Sequence, residues 1–292
     1  MIGVDWGTSS FRAFRLAIDG HVLGRRSAPR GILHLESNRF AEALREEIGP
    51  WLAEGETRVL LAGMIGSRQG WVEAPYLPCP AGAAEIAAAL VPVPFAGARV
   101  LLVPGLSDTD DAGTPEVMRG EETQIVGVLA RLGEDGVACL PGSHSKWARV
   151  AGGRITAYRT YLSGEAFAAL RRGTILGRMM AEAPTDTAAF DRGVARAADT
   201  GHLLHHLFGV RTLGLFGKLA DHESASYLSG LLIGHEVRAA QPQGLTVHLI
   251  GAAPLCELYS RAIAAGGGNA VIEDEDAAAR GLALIGKSAP WS

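Results

Sequence analysis

Two stretches of this chain, 135 residues apart, carry one pattern. IGVDWGTSSFR (2–12) and VACLPGSHSKW (137–147) each read as an apolar strand, a glycine turn, hydroxyl residues and the start of a second strand. Gly7 falls on Gly142, Thr8 on Ser143 and Ser10 on Ser145. Asp19-Gly20 follows the first segment and Gly152-Gly153 the second, each a two-residue hairpin signal leading to a third strand. Two such starts constrain the chain to a duplicated α/β architecture with two lobes. Its 292 residues agree with two domains.

Composition narrows the function classes. Glycine makes up 38 residues, nearly twice the usual share of roughly 7%. Without a collagen-like period, these glycines indicate tight turns and close backbone approaches to a ligand. The charge balance, 27 − 31 = −4, argues against nucleic acid and anionic membranes as partners. Cys79, Cys139 and Cys256 are far apart and form no CxxC pair, which fits a reducing compartment and buried thiols. The opening MIGVDWG has no basic segment and carries Asp5, so no secretory signal is expected. The uncharged run 86–98 is short and broken by Pro92 and Pro94. The expected location is the cytoplasm.

Between the paired segments, apolar periodicity predicts a helix over 40–52, strands over 58–62 and 98–103, and a helix from Glu116 through residue 132. Residues 63–82 read as a loop holding Met64, Trp71 and Tyr76, a composition that suits the lining of a site. Beyond residue 160 the pattern predicts helices over 165–176, 202–207 and 225–239, a strand over 246–250, and helices over 254–265 and 276–285. The apolar stretch SYLSGLLIG suits either a core or an interface.

The chemistry concentrates in a few places. In Asp5-Trp6-Gly7-Thr8-Ser9-Ser10, backbone N–H and hydroxyl groups suit a phosphate, and a carboxylate at the strand end suits Mg²⁺. A plain hairpin turn is the alternative. Gly142-Ser143-His144-Ser145-Lys146 offers donors and a cation without a carboxylate, so it suits an anion better than a metal. Gly251-Ala252-Ala253, between a strand and a helix opened by Pro254, leaves room for a flat group such as a nucleobase. Glu121 and Glu122 in RGEETQ are adjacent, so they do not share a helix face; one suits a general base, and a solvated pair is the alternative.

Other patterns carry less. GLALIGKS (281–288) satisfies the P-loop string, but a helical stretch precedes it where a strand is needed. His202, His205 and His206 lack a supporting carboxylate motif and read as a helix face. Neither GxGxxG nor GxSxG occurs, which removes support for dinucleotide binding and for a serine-hydrolase elbow.

This constellation resembles the sugar kinase, Hsp70 and actin superfamily. DWGTSS matches its first phosphate loop, LPGSHSKW the second and LIGAAPL the adenosine loop. Within it, DWGTSSFRAFRL, LAGMIGSRQGWVEAPYLPCPAG, VMRGEETQIVG, TYLSGEAFAAL and LIGAAPLCELYSRA resemble the 2-dehydro-3-deoxygalactonokinase family over nearly the whole chain. The resemblance implies a two-lobed, actin-like (ribonuclease H-like) α/β fold with ATP and substrate in the interlobe cleft. The expected lobes are residues 1–125 and 126–275, with 276–292 as a C-terminal helix packing back toward the interlobe region. The implied activity is ATP- and Mg²⁺-dependent phosphorylation of the 6-hydroxyl of 2-dehydro-3-deoxy-D-galactonate. A kinase acting on the gluconate epimer, or a phosphohydrolase or kinase acting on polyphosphate, is the alternative.

The resemblance also distributes roles. Asp5 would orient Mg²⁺, while Gly7, Thr8 and Ser9 meet the terminal phosphates. Gly142, Ser143, His144 and Ser145 would hold the β/γ region, and Gly251 and Ala252 the adenine. The second loop has no Asp to serve as base, which moves that role to Glu121 or Glu122; RGEETQ also resembles the SGxEEA segment of exopolyphosphatases. The substrate carboxylate needs an arginine, with Arg68 first and Arg12 second, and Gln69, Trp71 and Glu73 would read hydroxyls. The expected partner is a small sugar acid, with a homodimer as one outcome for the assembly.

Overall fold

In the computed structural model, which describes residues 1–36 and 39–291, strand β1 (Ile2–Trp6) is covered on both faces. Ile2, Val4 and Trp6 enter one core cluster, while Gly3 lies against Leu282 from the other side. Its neighbours are β2 (Phe11–Leu16) and, antiparallel beyond that, β3 (Val22–Ala28). Helix α1 (Phe40–Ala53) buries Phe40, Ala43, Leu44 and Ile48, one stripe at helical spacing. Strand β4 (Arg58–Ala62) then runs parallel to β1.

Next come β5 (Tyr76–Pro78), α2 (Ala83–Ala88), β6 (Val91–Val93) and β7 (Arg99–Leu102). The first sheet has the order β3-β2-β1-β4-β7-β6. Strands β8 (Gly105–Thr109) and β9 (Pro115–Met118) join β5 in a small sheet of order β5-β8-β9. The helix expected from Glu116 therefore begins later, as α3 (Glu121–Val126) followed by α4 (Leu129–Leu132). Residues 115–118 pair with 106–109 instead, and Gly120, at φ 106°, cannot continue a right-handed helix.

The second sheet contains β10 (Asp135–Leu140), β11 (Ser145–Ala151), β12 (Arg154–Tyr161), β13 (Thr246–Leu249) and β14 (Asn269–Ile272). Gly152 and Gly153 both have positive φ, 56° and 71°, as a two-residue primed hairpin turn requires. The order β12-β11-β10-β13-β14 repeats β3-β2-β1-β4-β7 of the first sheet, with β13 parallel to β10 as β4 is to β1. The duplication legible at residues 2 and 137 is thus a duplication of sheet topology.

The remaining helices are α5 (Ser163–Gly173), α6 (Thr187–Arg196), α7 (Leu203–Leu215), α8 (Asp221–Ala240), α9 (Ala253–Ala265) and α10 (Ala277–Lys287). SYLSGLLIG lies in α8 and is core: Tyr227, Leu228, Leu231 and Leu232 are buried. A β-carbon on Gly230 would lie 2.0 Å from Phe190 O, and one on Gly193 2.2 Å from Tyr227 O, so α6 and α8 cross backbone against backbone.

The chain divides into two units. Met1–Gly136, Ala148–Arg159 and Asp274–Ser292 form one; Val137–Trp147 and Thr160–Glu273 form the other. Among the described residues no helix is long and apolar enough to cross a membrane.

Candidate active site

In the first unit, the turn after β1 is tied down from behind. Gly7 N–H donates to Ser10 O at 2.9 Å, while Ile32 and Leu33 N–H donate to Gly7 O and Thr8 O at 3.0 and 3.2 Å. Trp6 Nε1 donates to Arg30 O at 2.7 Å. Gly31 closes the arrangement, since a β-carbon there would stand 2.2 Å from Thr8 O. Thr8, Ser9 and Ser10 are left exposed.

Asp5, one residue before the end of β1, lies directly across from Arg12, and the two form an ion pair through Asp5 Oδ2 and Arg12 Nη2. Arg12 is thereby engaged by the carboxylate assigned to the metal. On the Oδ1 side stands Gly63, at φ 95°, where a β-carbon would come within 3.2 Å of Oδ1 and 2.8 Å of Trp6 O. A β-carbon on Gly120 would in turn lie 3.2 Å from Gly63 Cα. Asp5, Gly63 and Gly120 form a continuous row that leads to the two glutamates. The sequence marks Gly63 only as a glycine inside the apolar run 59–65, and Gly31, directly after Arg30, carries no such signal.

The glutamates differ in setting. Glu121 Oε2 accepts the Arg119 N–H at 2.9 Å, and its residue is half-buried. Glu122 is fully buried, accepting from Gly120 N–H at 2.7 Å and from Thr123 Oγ1 at 2.9 Å. Burial, reinforced by the Glu121 carboxylate, pushes the Glu122 carboxyl up to about 7.

The loop after β4 separates its candidates. Arg68 is 88% exposed and pairs with the exposed Glu73 at 3.4 Å, while Gln69 also faces solvent. Trp71 turns inward, edge-on to Phe95 with centroids 6.2 Å apart.

In the second unit, Ser143 and His144 are exposed and His144 Nε2 lies 2.6 Å from Glu165 Oε2. Glu165 N–H donates to Ser143 O, and Gly164 allows that approach: a β-carbon there would stand 2.4 Å from Gly142 O. Ser145 points the other way. Its Oγ is buried 2.7 Å from the Tyr259 hydroxyl, which donates to Glu236 Oε2 at 2.8 Å, while Trp147 Nε1 donates to Oε1 at 2.7 Å. Burial raises the Glu236 carboxyl above its ordinary range. The Ser145 hydroxyl therefore fixes the loop from beneath.

Beside this loop lies a cavity of about 310 Å³, within the size range of small-ligand sites. It opens on Gly142 and is lined by Ser163 and Phe167 of α5, Ser226 and Ser229 of α8, and Leu255 and Tyr259 of α9. Gly251 and Ala252 are exposed just before α9, where a β-carbon on Gly251 would stand 3.4 Å from Pro141 O. The α9 residues that line the cavity lie four to eight positions beyond Gly251.

Residues 5–285 match the family model described as 2-keto-3-deoxy-galactonokinase. The chain belongs to this family. Other members of the 2-keto-3-deoxy-galactonokinase family match it along most of its length. The chain is 37% identical over 296 residues to a protein of Rhizobium meliloti named "Probable 2-dehydro-3-deoxygalactonokinase", covering 99% of this chain and 96% of that one. It is 34% identical over 269 residues to the 2-dehydro-3-deoxygalactonokinase of Escherichia coli, covering 91% of this chain and 90% of that one. A crystal structure assigned to the same kinase class, from Sinorhizobium meliloti, superposes with a TM-score of 0.89 at 35% identity, covering 98% and 97% of the two chains. At 12% identity and a TM-score of 0.53, an ADPNP-bound dehydratase activator from Clostridium difficile shares the fold, covering 98% of this chain and 94% of that one. The chain thus has the α/β fold of the actin-like sugar kinases and ATPases.

Proposed function

We propose that this chain transfers the γ-phosphoryl group of ATP to the 6-hydroxyl of 2-dehydro-3-deoxy-D-galactonate, in the cytoplasm. The reading is carried by the cavity that opens on Gly142 at the second phosphate-type turn, in a chain of this family. The adenosine end belongs in that cavity, with Ser226 and Ser229 as polar partners and Leu255 as an apolar wall. Gly251 and Ala252 border its approach. Gly142, Ser143 and His144 are the phosphate donors of the second glycine turn, and Gly7, Thr8 and Ser9 those of the first.

Mg²⁺ suits Asp5. A lone carboxylate at a strand end, kept uncrowded on its Oδ1 side by Gly63, matches an ion that takes one or two carboxylates and keeps several waters. When bound, the ion neutralises charge on the transferring phosphoryl group. Binding there requires Arg12 to release or share Asp5. Gln69, Trp71 and Glu73 belong to the sugar-acid end.

Glu121 is the better base. A base must reach the hydroxyl whose proton it takes, and Glu121 is half-buried whereas both oxygens of Glu122 are engaged inside the protein. The test measures ADP formation with the galactonate compound, its gluconate epimer and a blank without sugar. Galactonate-dependent turnover over a quiet blank is expected, with Glu121→Gln lowering kcat roughly 10²-fold or more and Glu122→Gln far less. Equal ADP in all three wells would sink the kinase reading.

A further inference from the structure

Arg119, just ahead of the two glutamates, is 8% exposed. Its Nη2 donates to Ala74 O at 2.8 Å. Nε and Nη1 are buried with no hydrogen-bond partner, and no carboxylate pairs with the guanidinium, among the described residues. The Tyr76 ring lies across its face, with the centroid 4.4 Å from Cζ. Gly66 stands beside Nη1, where a β-carbon would come within 3.0 Å. The next residue, Ser67, also has a buried hydroxyl without a partner.

Buried polar groups are nearly always partnered, and a buried charge without a counter-charge is costly. Pinning the Ala74 carbonyl needs one neutral donor; it does not need a cation with five donors. What this arrangement lacks is a small anion with two acceptor oxygens, the shape a guanidinium fork meets in a carboxylate. The two segments involved, GMIGSRQGW and RGEE, touch through Gly63 and Gly120, and Gly63 borders Asp5. The anion therefore belongs beside the proposed base.

We infer that Arg119, assisted by the Ser67 hydroxyl, holds the carboxylate of the sugar acid, the role that sequence reasoning gave to the exposed Arg68. The inference rests on the sugar-acid kinase reading. Tyr76, 42% exposed, is the side chain that must yield as the carboxylate enters.

The test compares the sugar acid with its neutral C1 amide, in the wild-type chain and in Arg119→Met, Arg119→Lys and Arg68→Met. The wild type is expected to prefer the acid roughly 100-fold in kcat/KM. Arg119→Met erases that preference by raising KM for the acid, while KM for ATP moves about twofold or less; Arg119→Lys falls between. A merely structural arginine would lower acid and amide together, and that result overturns the inference, as does loss of the preference in Arg68→Met alone. Should the Arg119 variants not fold, equal use of acid and amide by the wild type overturns it as well. A wild-type chain that turns over no sugar acid overturns the kinase reading itself, a result distinct from turnover without acid preference.

Discussion

Glu122 shows how a single residue couples fold and chemistry. Its carboxyl titrates at about 7 in the folded chain, against an ordinary value of 4.5, because burial and the neighbouring Glu121 disfavour its charge. A raised pKa means that the folded state holds the proton more tightly than the unfolded state. The stability this provides is complete below about pH 4.5 and is lost as pH rises through about 7. Glu122→Gln mimics the protonated form: its carbonyl can accept from Gly120 N–H, and its amide can donate to the Thr123 hydroxyl. The variant should match the wild type near pH 4.5 and exceed it by on the order of 3 kcal/mol above pH 8, read from urea midpoints across that range. A constant offset at every pH would show that Glu122 does not titrate in this window. The residue types of the proposed site are legible in DWGTSS, GSHSKW and RGEE. Which glutamate is buried was not, because adjacent residues look alike until the turn at Gly120 aims them. The inward turn of Ser145 was hidden for the same reason: its partners Tyr259 and Glu236 lie 114 and 91 positions away.

At the scale of elements, apolar periodicity placed β1, β4, α1, α8 and α9 close to where they form. It missed α6, although Asp186 ahead of it accepts from Ala189 N–H as a helix cap does. It also extended α3 back over β9, since four residues of strand leave too little alternation to outweigh a downstream helix. The P-loop-like string GLALIGKS has a structural explanation in α10, where a β-carbon on Gly281 would lie 1.8 Å from Thr123 O. Gly127 meets α10 in the same way, 1.9 Å from Ala277 O. These contacts press α10 onto the helix that begins with the proposed base. Gly281→Ala should therefore destabilise by about 2 kcal/mol or more, since backbone blocks the added methyl. Gly209→Ala, inside α7 with nothing within 4 Å, should stabilise by about 0.5–1 kcal/mol. Urea unfolding of both variants checks the contrast, and equal effects would remove the close-packing explanation. Because α3 carries Glu121, Gly281→Ala should also lower kcat.

For the whole molecule, the paired strand–glycine–hydroxyl segments revealed two sheets of one topology, because strand order is set by short local hairpins and parallel returns. The course of the chain through its two units is set by non-local contacts: it crosses after Gly136, Trp147, Arg159 and Glu273. The second unit therefore takes its central strand from Val137–Trp147, upstream of the block Thr160–Glu273. That block alone keeps α5 to α9, β13 and β14, but β13 loses its parallel partner β10, including the bond from Ile250 N–H to Cys139 O at 2.9 Å. The core loses Cys139 and Trp147, both packed among Phe190, Ile233 and Tyr259. Glu236 also loses the Trp147 donor, leaving a buried carboxylate less satisfied. Removing one large buried aromatic costs about 3–5 kcal/mol, comparable with the roughly 5–15 kcal/mol that holds a whole domain together. A fragment of residues 160–273 should keep helical far-UV signal from α8 and α9 yet show no cooperative urea transition. A peptide of residues 137–147, added in trans, should restore the transition, because it returns the strand, the tryptophan and the donor together. Cooperative unfolding of the fragment alone would mean that the α6–α8 crossing suffices to fold the unit, and that β10 serves mainly to present the phosphate turn at its end.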